Sequence, residues 1–482
     1  MALNKTVHFE TLGCRLNQLE SEGAAEFFIK AGWSVQMKAV LAKDKDDDSV
    51  CLCVLNTCAV TGKAEQKARR TINLLLKKFP FAALVVTGCF AQLSPKEIQG
   101  MDGRLAVLPG KAKSALAKVP EFLEKSDAKD GNEAALLLRN FFGPQKVGGD
   151  FSGHFERAQE PFLLLPKSFA AHSRASLKIQ DGCDNNCSYC AIHFARGKSV
   201  SIPPALALER ALDLEKSGQA ELVLTGVNIG QYKGEWQGRA LDAAGLLRLI
   251  LQNTKKIAIR FSSVYPQTVT EDFCEAIKDR RVRPHFHISV QSGSDCVLKR
   301  MRRAYDRKMV LEACLRLRKA KENPFLACDI ITGFPGESEA DFADTLSLLK
   351  EGGFAKAHAF PFSPRPGTDA ASYAPKIPER IKGERVAALN ELSAVSKLSY
   401  IQSFAGKTLD AVAESVRNPP KDIPKGKVLV RAVTENFIHA EILLNESDIV
   451  PPSGGAVRVK ILGAKKEAVA RGEEWEALAQ LL

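Results

Sequence analysis

Residues 175–197, ASLKIQDGCDNNCSYCAIHFARG, carry the pattern that decides the fold. Ala175–Gln180 reads as a strand, and Gly182 with Asp184, Asn185 and Asn186 signals a turn directly after it. Cys183, Cys187 and Cys190 follow in a C-x3-C-x2-C array. Positions i, i+4 and i+7 also share one helix face, so a core of three small apolar side chains stays open on spacing alone. The glycine and the Asp/Asn run favour a loop. Three thiols on one loop can ligate three irons of a cubic 4Fe–4S cluster and leave the fourth iron open to a reactant. Structural zinc fits less well, because it wants a closed set of four and His193 is the only rival ligand nearby.

Outward from this loop, strand and helix signals alternate. Strands are expected at ELVLTGV (221–227), IAIRFSSV (257–264), HFHISVQS (285–292), FLACDIITGF (325–334) and AKAHAFPFS (355–363). Amphipathic helices such as PALALERALDLEKSG and ESEADFADTLSLLKEGG lie between them. Six βα units predict an incomplete (β/α)6 barrel over 169–400, with chemistry at the C-terminal ends of its strands. A long helix within 375–404 closes it. From 405 to 467, short alternating strands (KVLVRAV, FIHAEILL, AVRVKILGA) predict a small antiparallel β-barrel of OB-like size.

Residues 1–125 show the same α/β rhythm on a smaller scale and predict a parallel sheet covered by helices. The expected elements are a strand in KTVHFETLGC, a helix from about 20 to Gly32, a strand in VCLCVLNTC, the basic helix KAEQKARRTINLLLKKF, and a strand in ALVVTGC. Cys14, Cys58 and Cys89 stand at the three strand ends. Parallel neighbours bring their C-terminal ends together, so three such thiols can converge on one site. Cys51 and Cys53 are read as core residues on one side of their strand; Cys274, Cys296, Cys314 and Cys328 are also read as structural. Residues 126–168, rich in Gly and Asp and without sustained period, are read as a linker.

The chain has 482 residues, with 68 Lys and Arg against 56 Asp and Glu and a formal charge of +12. At 45% hydrophobic and 26% charged it is neither disordered nor fibrous. Its longest apolar runs, such as Val50–Leu55, fall far below the ~20 residues of a membrane span. MALNKTVHFETLGC lacks a secretory pattern, so the expectation is a cytoplasmic protein with no membrane partner. Twelve cysteines are too sparse for a disulfide scaffold.

The cysteine loop, with the aromatic Tyr189 before its last ligand, resembles the radical S-adenosylmethionine superfamily. TLGCRLNQLESE, VLNTCAVTGKAEQKARR, VVTGCFAQLSP, LTGVNIGQY, HFHISVQSGSDCVLKRM, DIITGFPGE and FPFSPRPGT further resemble the methylthiotransferases over nearly the whole chain. That resemblance implies two 4Fe–4S clusters. One on Cys183, Cys187 and Cys190 holds S-adenosylmethionine as radical source. An auxiliary one on Cys14, Cys58 and Cys89 carries the sulfur, and a further S-adenosylmethionine is the methyl donor. An unactivated C–H bond would become C–S–CH3.

The resemblance also suggests cofactor-binding roles. Tyr189 belongs to the cluster loop; Thr225, Gly226 and Asn228 would lie near the methionyl amino group, and Ser289 and Gln291 at the barrel mouth. The turn Gly333–Gly336 would permit close approach to the adenine. For each of the last three groups a structural βα turn is the plain alternative. Arg365 is a candidate for phosphate or carboxylate binding or for a simple salt bridge. Lys198–Ser201 and His193 depart from the usual pattern of relatives without touching a ligand cysteine.

The acceptor is read from charge and resemblance together. Lys299, Arg300, Arg302 and Arg303 form a basic run, and Lys427, Arg431, Arg458 and Lys460 lie in a β-domain resembling the TRAM RNA-binding module. With the net positive charge this points to RNA, and single-stranded loops expose bases, which makes the tRNA anticodon loop the expected target. The motifs are most similar to members acting at position 2 of N6-threonylcarbamoyladenosine beside the anticodon. Isopentenyladenosine in tRNA, a ribosomal-protein aspartate, and a non-catalytic iron–sulfur RNA-binding protein are the alternatives. The sequence names neither the electron donor nor the sulfur donor.

Overall fold

The computed structural model describes residues 4–143, 160–167, 173–416 and 423–482. The chain forms two compact units, each built from separated segments: 1–167 with 181–200 and 363–371, and 168–180 with 201–362 and 372–482.

In the first unit the elements are β1 (Thr6–Thr11), α1 (Arg15–Lys30), β2 (Ser34–Gln36), β3 (Leu52–Thr57), α2 (Gly62–Lys78), β4 (Ala83–Gly88), α3 (Cys89–Leu93), α4 (Pro95–Gln99), β5 (Leu105–Val107), α5 (Val119–Glu124) and α6 (Gly131–Phe142). The short helix α7 (Ile192–Arg196) belongs to its second segment. The sheet order is β2-β1-β3-β4-β5, parallel throughout. Every residue of β3 and β4 is buried, as expected of central strands covered on both faces. Thr61 caps α2 by accepting the Ala64 N–H, which stops the strand-to-helix loop close after Cys58.

The three expected strands and two helices are present, and the first helix begins at Arg15, earlier than expected. The linker expected over 126–168 is corrected in part. Gly131–Phe142 is a helix whose Ala134, Ala135 and Leu138 enter the core beside Phe28 and Val85, with Asp130 as its N-cap. Its short apolar stripe, set among Asp- and Gly-rich flanks, hid the period. The stretch 144–159 lies outside the described residues. Cys51 and Cys53 also differ from expectation: both are buried, but in opposite cores. Cys51 precedes the strand and donates its S–H to the Thr6 carbonyl at 3.5 Å, so strand alternation does not apply to it.

The second unit opens with β6 (Ala175–Lys178). The two-residue strands β7 (Gln180–Asp181) and β8 (Val200–Ser201) bracket the cysteine loop in the chain. Next come α8 (Pro204–Lys216), β9 (Glu221–Thr225), the hairpin β10 (Gly234–Trp236) and β11 (Arg239–Leu241), α9 (Ala243–Asn253), β12 (Ala258–Phe261) and β13 (Ser263–Val264). Then follow α10 (Glu271–Ile277), β14 (His285–Gln291), α11 (Asp295–Arg300), α12 (Arg307–Ala320), β15 (Phe325–Thr332), α13 (Glu339–Glu351), β16 (Lys356–Pro361) and the closing α14 (Glu379–Gln402). The strands pair in parallel as β6-β9-β12 and β13-β14-β15-β16. β12 and β13 are successive halves of one broken strand, so the six expected strands form the predicted open succession.

β17 (Thr408–Glu414), β18 (Lys427–Thr434), β19 (His439–Asn445), β20 (Ala456–Ala464) and, after α15 (Lys466–Arg471), β21 (Ala477–Leu481) close a five-stranded barrel. The expected end at residue 467 is therefore too early, because β21 seats between β19 and β20. A buried carboxylate organises this unit. Glu221 on β9 pairs with Arg260 at 2.7 Å and Arg283 at 3.1 Å, and Arg260 also donates to the Thr434 carbonyl of the barrel at 3.1 Å. Burial pushes the Glu221 carboxyl up, but Arg260, Arg174 and Arg283 outweigh it and hold its pKa at about 2. No helix among the described residues is long and apolar enough to cross a membrane.

Candidate functional site: two cysteine triads

The strand register explains how three distant cysteines meet. Thr11 lies beside Asn56, and Asn56 beside Thr87. Cys58 and Cys89 each follow their registered residue by two positions and Cys14 by three. The strand order changes direction between β1 and β3, and at such a switch point the loops leaving the carboxyl ends diverge to open a crevice. The thiols are near enough to interact. Burial, then the neighbouring Cys89 and Cys14, push the Cys58 thiol up to about 11. Burial also raises Cys89, against the opposing pull of Arg196 and Lys113. Cys14 is exposed while Cys58 and Cys89 are buried, so the triad opens on one side. Gly13 makes the approach possible: at φ +105°, a Cβ there would stand 2.5 Å from Cys58 Cβ and 3.0 Å from its Sγ.

The second triad lies on the loop between β7 and β8. Cys183 and Cys187 are buried and Cys190 half-buried, and none of the three is in a disulfide. The loop is bent back on itself, since the Cys183 N–H donates to the Gly197 carbonyl at 3.0 Å and the Cys190 N–H to Cys187 at 3.1 Å. Gly182 takes φ +73°, and a Cβ there would fall on the Lys198 carbonyl and 2.6 Å from that of Gly197. The Ala370 N–H ties down the Ser188 carbonyl at 2.8 Å. His193 is held low by burial and contacts Phe194. Among the described residues no three His, Cys, Asp or Glu side chains gather as a single metal ion requires. A cubic cluster needs wider spacing, because each thiolate binds a different iron. Two sets of three soft thiol donors, glycines that let the chain close in beside them and the exposed Cys14 fit such a group.

Between the triads lies a buried polar cluster that sequence reasoning missed. Arg196, at the end of α7, donates to Asp181 Oδ1 at 2.8 Å, Glu20 Oε1 at 3.1 Å and Asn17 Oδ1 at 2.8 Å. Lys113 pairs with the same Glu20. Asn17 donates to the carbonyls of Leu12 at 2.9 Å and Thr57 at 3.0 Å. Its own carbonyl accepts from Asn56 at 2.9 Å. The only sequence signal was a polar residue within ARG and another within RLNQLE, neither at a periodic core position. Arg365 adopts its salt-bridge alternative, pairing with Glu65 of α2. Burial lowers the Arg365 pKa, and the neighbouring Cys58 thiol opposes that shift.

The other predicted residues sit in the second unit, apart from Tyr189, which is half-buried on the cysteine loop. Thr225 is buried, and its carbonyl accepts the Ile179 N–H at 2.8 Å. Gln180 supplies the Asn228 N–H with an acceptor at 2.8 Å and stands 3.0 Å from where a Gly226 Cβ would be. Ser289 is buried, and Gln291 ends β14 at φ +73° beyond a register shift. Gly333, at φ +66°, is approached closely by the Lys382 side chain. Of the basic residues, Lys299 and Arg302 are exposed. Arg300 and Arg303 are engaged internally instead: Arg300 donates to Ala374 at 3.1 Å, and Arg303 donates to Tyr305 at 2.7 Å and lies over Tyr265. Arg431 is likewise taken up by Glu441 at 3.0 Å and the Trp475 ring, whereas Lys427 is exposed. Of the residues read as structural, Cys296 is on the surface, since it falls on the outer face of α11.

Comparison with known proteins defines the class first. The radical SAM superfamily profile matches residues 177–349, and that of the uncharacterized protein family UPF0004 matches residues 6–110. Of solved structures, the radical S-adenosylmethionine methyltransferase TsrM of Kitasatospora setae, with cobalamin and a 4Fe-4S cluster bound, aligns at TM-score 0.51. It is 12% identical over 77% of either chain, a likeness of fold alone. Curated relatives then narrow the class. The threonylcarbamoyladenosine tRNA methylthiotransferase MtaB of Treponema pallidum is 41% identical, covering 95% of this chain and 98% of its own. The protein of that name from Thermotoga maritima is 35% identical over 85% and 87%. The tRNA-2-methylthio-N(6)-dimethylallyladenosine synthase of Treponema denticola is 30% identical over 91% and 97%. The chain belongs to the radical SAM methylthiotransferase family and is an enzyme of that class. Membership of the superfamily brings a 4Fe–4S cluster and S-adenosylmethionine.

Proposed function

We propose that this enzyme inserts sulfur and a methyl group at position 2 of N6-threonylcarbamoyladenosine beside the tRNA anticodon, using two 4Fe–4S clusters. The convergence of Cys14, Cys58 and Cys89 at three registered strand ends carries the two-cluster reading. The acceptor is supported by the names of the relatives that cover nearly the whole chain. When bound, the clusters supply reductive cleavage of S-adenosylmethionine on one triad and the sulfur on the other.

The chain's own residues do the rest. Cys183, Cys187 and Cys190 would hold one cluster through three thiolates, and Cys14, Cys58 and Cys89 would do the same for the second, each set leaving room for a reactant. Two separate three-thiol sites answer a physical need, since radical initiation and sulfur delivery cannot share one open coordination position. Thr225, Asn228, Ser289 and Gln291 line strand ends suited to orienting S-adenosylmethionine. Exposed Lys299, Arg302, Lys427, Arg458 and Lys460 offer phosphate contacts to RNA.

Nucleoside mass spectrometry of tRNA from cells with and without the protein tests this. The expected result is loss of the methylthio form of threonylcarbamoyladenosine. Loss of the methylthio isopentenyl form moves the acceptor to the substrate named for the Treponema denticola relative, and an unchanged tRNA profile overturns the proposal.

A further inference from the structure

The Arg196 guanidinium sits where the two triads' supports meet. On one side its chain neighbour Gly197 accepts the Cys183 N–H, and Arg196 itself binds Asp181 just before the loop. On the other it binds Asn17, whose amide holds the carbonyls of Leu12 and Thr57, two residues before Cys14 and one before Cys58. The Gly182 N–H donates to the same Asp181 Oδ1 at 2.8 Å, so a run of hydrogen bonds through Asp181, Arg196 and Asn17 joins the backbone beside one triad to that beside the other. The cluster is buried and balanced, with Arg196 and Lys113 against Glu20 and Asp181. A guanidinium suits the junction because its planar fork reaches three acceptors at fixed angles, whereas an ammonium on a flexible stem does not.

We propose that Arg196 is a positioning residue that fixes the Cys183–Cys190 loop against the strand ends carrying Cys14 and Cys58, and so sets the separation of the two triads. The inference rests on the two-cluster reading. Its consequence concerns coupling: radical formation and sulfur delivery each need one triad, but product needs both at the right distance. Small displacements of a reacting pair cost rate steeply, on the order of 100-fold for about 1 Å.

The test uses full-length, iron-reconstituted Arg196→Lys, which keeps the charge and loses the fork, with Glu20→Gln as the milder second variant. Iron content and deoxyadenosine formation should match the parent, while methylthio product per deoxyadenosine falls by about 10- to 100-fold for Arg196→Lys and less for Glu20→Gln. Independently of turnover, the microwave-power saturation of the reduced radical-cluster EPR signal should shift, because relaxation by a neighbouring cluster depends on distance. A ratio and saturation curve equal to the parent's in either folded variant overturns the proposal. So does a parallel fall in iron, deoxyadenosine and product at constant ratio, which marks a mere structural brace. Failure of the parent to modify tRNA would defeat the proposed function and leave the saturation test of Arg196 standing.

Discussion

The two cysteine triads are brought together in opposite ways. Cys183, Cys187 and Cys190 lie within eight residues on a loop closed by its own backbone bonds. Cys14, Cys58 and Cys89 are spread over 76 residues and meet only because three parallel strands are in register. The first site depends on local turn chemistry and the second on a finished sheet. A loop site tolerates changes elsewhere in the chain; a sheet-built site inherits the stability of the whole unit.

The sharpest way to separate them is by cysteine substitution. Cys187→Ala should abolish both deoxyadenosine and methylthio product. Cys58→Ala should abolish product while reductive S-adenosylmethionine cleavage continues, with about half the iron retained. Product formed by Cys58→Ala would break the comparison. A smaller effect is expected from the cradles. Gly13→Ala and Gly182→Ala each force a side chain into a left-handed backbone and a filled space, at a cost of about 1–3 kcal/mol. Gly13→Ala should deplete the iron of the dispersed triad and Gly182→Ala that of the loop, read from iron counts and EPR. Equal depletion by both would show that the triads load as one.

The smallest effect on either triad is expected at Glu221. Its folded pKa of about 2 lies below the usual 4.5, so its stabilisation is present above pH 4.5 and is lost as pH falls toward 2. Acid unfolding of the parent should therefore cost about 3 kcal/mol across that window through this group, a slope that Glu221→Gln removes while both iron loads stay unchanged at neutral pH. Iron loss in Glu221→Gln would show that the second unit governs the triads after all.

What the sequence made legible follows the same division. The loop triad could be read from spacing and turn residues, and the six barrel strands from alternation. The dispersed triad needed the expectation of a parallel sheet, and its register then placed Cys58 and Cys89 alike. Periodicity could not reveal Arg196, Glu20 and Asn17, because buried polar residues break the apolar pattern and their partners lie up to 179 positions away. Arg300, Arg303 and Arg431 show a further gap: a run of positive charge does not tell which guanidiniums also bind Ala374, Tyr305 or Glu441. Helix α6 was lost for want of length, its stripe too short to rise above its flanks.

The first unit also draws on residues 363–371, through Arg365 on Glu65 and Ala370 on Ser188. During synthesis at about 5–20 residues per second, that piece leaves the ribosome roughly a quarter of a minute to one minute after Cys89. Throughout that interval the nascent sheet already presents three thiols that its final clasp has not yet secured. Under the two-cluster proposal, loading of that triad faces a waiting period written into the order of the chain.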